Sequence, residues 1–310
     1  MVMKKLAILL AVISCFSNAY SQDIKYSADT VPIADVHMHI TNRGASTPSN
    51  FVTRMKDNNI QWGGAVGDFD SEMHSLIGNR YIGAMGQREF TQILERYGQD
   101  ALTDPTNPIM IKLLQQTEEG LINGTVKGFG ELHTDNMDIG GYASFKRRIP
   151  TDNPAMRKIY EVANKYNAFV QIHGHANHQF AIGVKTLAGL YPNTTTIISH
   201  CLPGANTALL TEIFDAQPNI VCELSAQGPV HGVHRGRGRV FNPEGIDPNW
   251  KDFIIKYQDR IMVGTDPCCQ LDSKYTQMIK EIRSMLLANL PESVMEKLAY
   301  KNAVRIMKLQ

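Results

Sequence analysis

The chain has 310 residues, 43% of them hydrophobic and 20% charged, the composition of a globular protein that can bury a sizeable core as one barrel-sized domain or two smaller ones. Its 31 Lys and Arg against 30 Asp and Glu leave a formal net charge of +1, so no basic surplus points to nucleic acid or an anionic membrane surface. A small molecule is the expected partner.

The amino terminus reads as an export signal: Met1 to Lys5 is basic, Leu6 to Ile13 is a short apolar core, and Ser14 to Ser21 is small and polar. The apolar run is too short to span a bilayer. Two processing sites compete. Cleavage after Ala19-Tyr20-Ser21 makes residues 1–21 the signal peptide and 22–310 the mature domain, and is preferred because Ala-x-Ser followed by Gln22 is well formed. The alternative is lipoprotein processing, since Val12-Ile13-Ser14-Cys15 resembles a lipobox. Either route exports the chain, to a periplasm, with membrane attachment only if it is lipidated at Cys15.

The first strand of the mature chain is expected in "VPIADVHMHI", Val31 to Ile40. Alternate residues of a strand share a face, so Asp35, His37 and His39 should point the same way. Further strands are expected at Ile60 to Val66, Arg80 to Met85, Thr125 to Leu132, Ala168 to His173, Thr195 to His200, Asn219 to Leu224 and Arg260 to Asp266. Asn107-Pro108 should open a helix running to Glu119, Asp152-Asn153-Pro154 one reaching Tyr166, and "NTALLTEIFDAQ" lies between Asn206 and Gln217. Gly67 to Gly83 and Gln227 to Pro248 read as longer loops. Eight strands alternating with helices predict an α/β fold, a single (β/α)8 TIM-like barrel. A doubly wound open sheet is the rival, but no Gly-x-Gly-x-x-Gly follows the first strand.

Five cysteines need a reading. Cys15 is in the signal, and Cys201, Cys222, Cys268 and Cys269 lack metal-finger spacing. Export permits disulfides, yet Cys201, Cys222 and Cys268 lie in or just after apolar runs and read as small buried hydrophobes.

Polar residues gather at strand ends. His37 and His39 end the first strand, Glu131 the fourth, His173 the fifth, His200 the sixth and Asp266 the eighth. In a barrel the carboxyl ends of the strands converge on one axis, where active sites are built. Any one of these residues could be a hydrogen-bonded core group, but six ligand-type side chains at five strand ends predict a metal site. Imidazole and carboxylate donors without thiolate suit zinc or a similar cation.

"ADVHMHI", "GFGELHTD", "VQIHGH", "TIISHCLPG" and "IMVGTDP", in that order, resemble the amidohydrolase superfamily, specifically its amidohydrolase-related branch. The closing "LAYKNAVRIMKL" resembles the helix that ends many members. The resemblance runs from Val31 to Leu309 and implies a (β/α)8 barrel with one or two divalent metal ions, zinc above others. It implies that His37, His39 and Asp266 hold the first ion, that Glu131 bridges, and that His173 and His200 hold the second. In single-metal members His37, His39, His173 and Asp266 bind the ion and His200 stays free as an acid/base. Glu131 stands near the place of the bridging lysine of other members, and Lys127 lies too deep on the same strand to bridge.

A metal lowers the pKa of water and polarises the bond to be broken. Asp266 is the expected proton acceptor and donor, and His200, with His175 and His133 outside it, could orient water or oxyanion. The segment "GPVHGVHRGRGRVFNPEG", Gly228 to Gly245, should overhang the barrel mouth. Arg235, Arg237 and His231 in it are the candidate substrate-binding residues, suited to a carboxylate or phosphate, although a solvated loop with spare charge reads nearly as well. Three functions stay open: hydrolysis of an amide, ester or lactone; single-metal decarboxylation of an acidic aromatic or enoic substrate; and non-catalytic periplasmic metal binding. A nuclease of the TatD type fits less well with the neutral charge. The oligomeric state is also open, a homodimer included.

Overall fold

The strand ends that carry the polar residues are brought together by parallel pairing. The computed structural model describes residues 25–40, 47–137, 146–232, 240–268 and 271–310. The export signal with Cys15, the arginines Arg235 and Arg237, and Cys269 lie outside the described residues. The strands are β1 Ile33–Asp35, β2 Ile60–Gly64, β3 Tyr81–Ile82, β4 Ala84–Met85, β5 Gly128–His133, β6 Phe169–His173, β7 Thr195–Ile198, β8 Ile220–Glu223, β9 Phe241–Asn242, β10 Gly245–Ile246 and β11 Ile261–Met262. Among the described residues, apart from the antiparallel hairpin of β9 and β10, the strand-to-strand pairings are parallel, in the orders β1-β2-β3 and β4-β5-β6-β7-β8-β11.

The two sheets are one ring. The single strand expected over Arg80 to Met85 is bent at Gly83, so that β3 pairs with β2 and β4 with β5. A Cβ on Gly83 would lie 2.3 Å from the Thr125 carbonyl oxygen, so only glycine lets the backbones approach this closely. At the other seam Val36 N–H donates to the Val263 carbonyl (3.3 Å) and Asp266 N–H to the His37 carbonyl (2.8 Å). With β3 and β4 counted as one bent strand, eight strands close into a (β/α)8 barrel, as the alternation predicts.

Around it lie α1 Pro48–Asp57, α2 Ser71–Ile77, α3 Gln87–Tyr97, α4 Pro108–Asn123, α5 Pro154–Tyr166, α6 His178–Leu190, α7 Thr207–Ala216, α8 Pro248–Lys256, α9 Tyr275–Glu281, α10 Glu292–Glu296 and α11 Asn302–Ile306. Three helices start the same way. The side-chain oxygens of Asn107, Asn153 and Asp247 accept from Ile109 N–H (3.0 Å), Ala155 N–H (2.9 Å) and Asn249 N–H (3.0 Å), with proline next, where no N–H is needed. Each cap contributes about 1 kcal/mol. α5 has the expected limits, and α4 runs past Glu119 to Asn123. The expected loop from Gly67 to Gly83 instead contains α2, and the one from Gln227 to Pro248 contains the β9–β10 hairpin. α2 buries only Met73, so no apolar period marks it.

Cys201 and Cys222 are not small free hydrophobes. They form a disulfide, with Cα atoms 4.9 Å apart across 21 residues of sequence. Burial misled the reading: both residues are fully buried, the environment a reduced cysteine would also take. Closing a loop of this length stabilises by about 3 kcal/mol in the chain-entropy account. Cys268 is half-buried.

Inside the barrel the lower tier is apolar: Phe169, Ile197, Val221 and Met262 pack with Ala34, Val36 and Ile82. The chain's end closes this tier from below with Ala303, Ile306, Met307 and Leu309. Among the described residues no helix is long and apolar enough to cross a membrane.

Candidate metal centre

Two residues further along each strand, period-2 alternation returns the side chains to the axis, and they become polar. Phe169 is followed on the inner face by Gln171 and His173, Ile197 by Ser199, and Val221 by Glu223. β5 reaches the same face by an irregularity. Its register with β6 shifts between Phe129 and Leu132, which packs Leu132 into the outer core and leaves Glu131 at the centre. The neighbouring Gly130 makes room: a Cβ there would fall 1.9 Å from the Gly67 nitrogen.

Glu131, 3% exposed, is the hub. Its Oε1 accepts from His173 Nδ1 (2.7 Å) and lies 3.2 Å from His200 Nε2. Its Oε2 faces His37 Nε2 (3.5 Å) and His133 Nε2 (3.1 Å), and accepts from Gln87 Nε2 (2.8 Å). Asp266 Oδ1 lies 3.4 Å from His39 Nε2 and 3.8 Å from His37 Nε2. Three groups have ligand atoms within 4.8 Å of one another and could hold a metal: His37, His200, Asp266; His37, His39, Glu131; and Glu131, His173, His200. Together they comprise the six side chains expected from the strand ends.

Two buried nitrogens test whether a cation suits this site. His37 Nε2 and His173 Nε2 have no hydrogen-bond partner. His37 Nδ1 donates to Glu223 Oε1 (2.9 Å), and the opposite nitrogen faces two carboxylates at 3.5 and 3.8 Å. Those separations are too long for good hydrogen bonds and short enough for one cation to be shared. The donor set and its geometry fit a divalent cation.

Electrostatics give the same picture. Burial would raise the Glu131 carboxyl, but His37 and His133 beside it hold it well below the ordinary range. Burial acts the same way on Asp266, and the hydrogen bond from His39 with the charges of His37 and His200 holds it well below normal. Burial pushes the His173 imidazole well below the usual histidine value despite Glu131. Ionised carboxylates and a neutral imidazole are the forms that ligate cations. His37 differs: burial lowers its pKa, but Glu131 and Glu223 together raise it well above normal, so the metal-free protein holds a proton there.

Several site residues escape sequence reasoning. Glu223, fully buried at the end of β8, accepts from His37 Nδ1, His200 N–H (2.8 Å) and Ser225 N–H (2.7 Å), and so orients two of the six. The strand-end rule that found Glu131 also applies to Glu223. Gln171 Nε2 lies 3.2 Å from His37 Nδ1, and Asp68 lies 3.8 Å from His39 Nδ1. Gly264 is required for space, since a Cβ there would meet His37 Cβ at 2.7 Å and Glu223 Oε2 at 2.8 Å.

Asp35 does not share the histidines' face. β1 ends at Asp35 and the chain turns at Val36 and His37, so the alternation lapses. Its carboxylate accepts from Thr265 Oγ1 (2.6 Å), Thr265 N–H (2.9 Å) and Tyr275 O–H (2.9 Å), which ties β1 to α9. Lys127 is placed away from the centre, with Lys308 of the carboxyl-terminal tail as its charged neighbour. His133 sits between Glu131 and the buried Arg147, whose Nη2 is 3.4 Å from His133 Nδ1. The His175 ring is 5.4 Å from that of His173. His231 is buried, with Nε2 donating to the Asp266 carbonyl (2.9 Å), so it supports the backbone of a candidate ligand.

The comparisons agree with the fold. The amidohydrolase family model matches residues 123–309, more than half of the chain. No curated protein sequence matches the chain. Among solved structures, the chain is similar to a probable 2-pyrone-4,6-dicarboxylic acid hydrolase from Acinetobacter baumannii with citric acid bound, at 12% identity and TM-score 0.53, over 90% of this chain and 97% of that one. It is also similar to dihydroorotase from Saccharomyces cerevisiae in complex with 5-fluoroorotic acid, at 11% identity and TM-score 0.51, over 91% of this chain and 85% of that one. At these identities the likeness is one of fold.

Proposed function

This chain belongs to the amidohydrolase family and is an enzyme of that superfamily, and from that premise we propose a metal-dependent hydrolase that cleaves an amide, ester or lactone bond in a small acidic substrate. The observation that carries the proposal is the division of the Glu131 carboxylate, with Oε1 on His173 and His200 and Oε2 toward His37. A carboxylate placed between two ligand groups suits a pair of divalent cations, zinc in the first place.

Cations held there supply Lewis-acid polarisation of a carbonyl and make water a competent nucleophile near neutral pH. The protein's own groups do the rest. Asp266, held ionised, accepts the proton of the attacking water at its carboxylate and passes it to the leaving group. His200 is oriented by the contact of its Nδ1 with Ser225 Oγ (2.7 Å), which aims Nε2 at the centre. Glu223 fixes the ring of His37 in the same way. The guanidinium groups that the sequence supplies at Arg235 and Arg237 support the acidic group on the substrate, while His231 serves the backbone at Asp266.

Export to a periplasm remains the reading of residues 1–21, and the disulfide supports it, since such bonds persist in oxidising compartments.

Metal analysis of purified protein tests the proposal. Near two equivalents are expected, falling to about one in Glu131→Gln. A substrate screen of lactones, N-acyl amino acids, esters and acidic aromatics should then yield hydrolysis products. Carbon dioxide release from an acidic aromatic would replace hydrolysis with decarboxylation, and protein that takes up no metal would refute both.

A further inference from the structure

We propose that the Cys201–Cys222 disulfide is a positioning element of the metal centre: it fixes the ends of β7 and β8 so that His200 and His37 keep their places on Glu223. This rests on the metal-centre reading above. Cys201 follows His200 directly in sequence, and Cys222 directly precedes Glu223. The covalent link therefore spans the junction at which one oxygen, Glu223 Oε1, accepts from both His200 N–H (2.8 Å) and His37 Nδ1 (2.9 Å).

The backbone at that junction needs a brace. His200, Cys201 and Leu202 have φ of 57°, 43° and 62°, three successive non-glycine residues in the left-handed region. L residues visit that region singly and persist there only where the surroundings over-determine them. Hydrogen bonds hold the two ends of this run: on His200, Glu223 Oε1 at its N–H, Gln227 Nε2 at its carbonyl (2.8 Å) and Ser225 Oγ at its Nδ1 (2.7 Å); on Leu202, its N–H to the Ser199 carbonyl (3.1 Å) and its carbonyl from Ala205 N–H (2.9 Å). The disulfide joins the middle residue of the run to β8. Cys201 and Cys222 pack in the outer core, away from the axis, so they act through His200 and Glu223 and not on substrate.

A loop-closing bond that served stability alone would not need this address. If the bond is a brace, its loss should move a property of the folded protein. Two arms test this. In the first, the double variant Cys201→Ala/Cys222→Ala is purified. In the second, wild-type holoprotein is treated with a phosphine, which takes the oxygen of one water, becomes the phosphine oxide and leaves two thiols, counted by alkylation. Metal affinity is read by competition with a chromophoric chelator, alongside circular dichroism and, once a substrate is in hand, kcat and KM.

The proposal expects protein that stays folded, binds metal at least tenfold more weakly and loses kcat more than KM. Folded protein without the bond that binds metal as tightly as the oxidised form would overturn it. Loss of metal and fold in one step in both arms would also overturn it, assigning the bond to stability alone. Oxidised wild type that binds no metal would instead remove the metal centre itself, and this inference with it.

Discussion

The lower and upper halves of the barrel interior are built from the same strands and behave as different materials. Below, Phe169, Ile197, Val221 and Met262 meet the chain's own carboxyl-terminal residues in an apolar plug. Above, Gln171, Ser199 and Glu223 form a hydrogen-bonded tier under the six ligand-type side chains. One step of strand alternation, about 7 Å along the strand, separates the two. The lower half should therefore set stability and the upper half chemistry, and substitutions can test how cleanly they divide.

The largest contrast is between Glu131→Gln and Phe169→Ala. Glu131→Gln should lower kcat/KM at least a thousandfold, about 4 kcal/mol in transition-state terms, and leave a folded barrel. Phe169→Ala should cost about 3 to 5 kcal/mol of stability while the folded fraction keeps its metal and most of its turnover. Denaturant titration with metal analysis separates the two, and a Phe169→Ala protein that is stable but metal-free would erase the division. Next in size is a pair of glycines. Gly264→Ala pushes a methyl against His37 and Glu223 and should weaken metal binding roughly 10- to 100-fold. Gly120→Ala in α4, whose methyl would lie 2.4 Å from Val126 Cγ2, should lower the melting temperature and leave metal affinity unchanged.

Proton competition should be smaller. His37 carries a proton in the metal-free protein because Glu131 and Glu223, against the opposing effect of burial, raise its pKa well above normal. A cation must displace that proton, so affinity should rise with pH up to the folded pKa of His37 and level off above it. Calorimetry in buffers of different ionisation enthalpy should show proton release on binding; binding without release at neutral pH would contradict the assignment. The stability linkage has the opposite sign. A raised histidine pKa stabilises the metal-free fold fully below about pH 6.5, the unfolded value, and that contribution fades as pH climbs through the folded pKa. Tyr275→Phe should have the smallest effect on metal binding. It removes one of the hydrogen bonds to the buried Asp35 carboxylate, at a cost of about 1.5 to 3 kcal/mol, with little change in metal affinity.

The upper tier was legible in the sequence because ligand types are scarce and strand ends are easy to place. His37, His39, Glu131, His173, His200 and Asp266 could be named before any coordinates, and they meet. What stayed hidden were relations between strands. Glu223 sits inside "NIVCEL" as one acid among apolar neighbours, and nothing local shows that it will bind an imidazole 186 residues away. The disulfide was invisible because a 21-residue separation forms no motif and buried thiols and buried disulfides share an apolar setting. Asp35 was placed on the wrong face because alternation was assumed to continue past the strand's last residue. The bend at Gly83 and the shift in β5 depend on contacts with Thr125 and with the backbone around Gly67, which no single-strand pattern carries.

The central claim is that imidazole and carboxylate groups from five strand ends share cations at the upper end of the barrel. X-ray absorption at the zinc edge of the loaded protein tests it most directly. The account predicts nitrogen and oxygen neighbours at about 2.0 to 2.2 Å, with imidazole scattering that diminishes in His173→Ala. A sulfur shell near 2.3 Å, or a spectrum unchanged by His173→Ala, would contradict it.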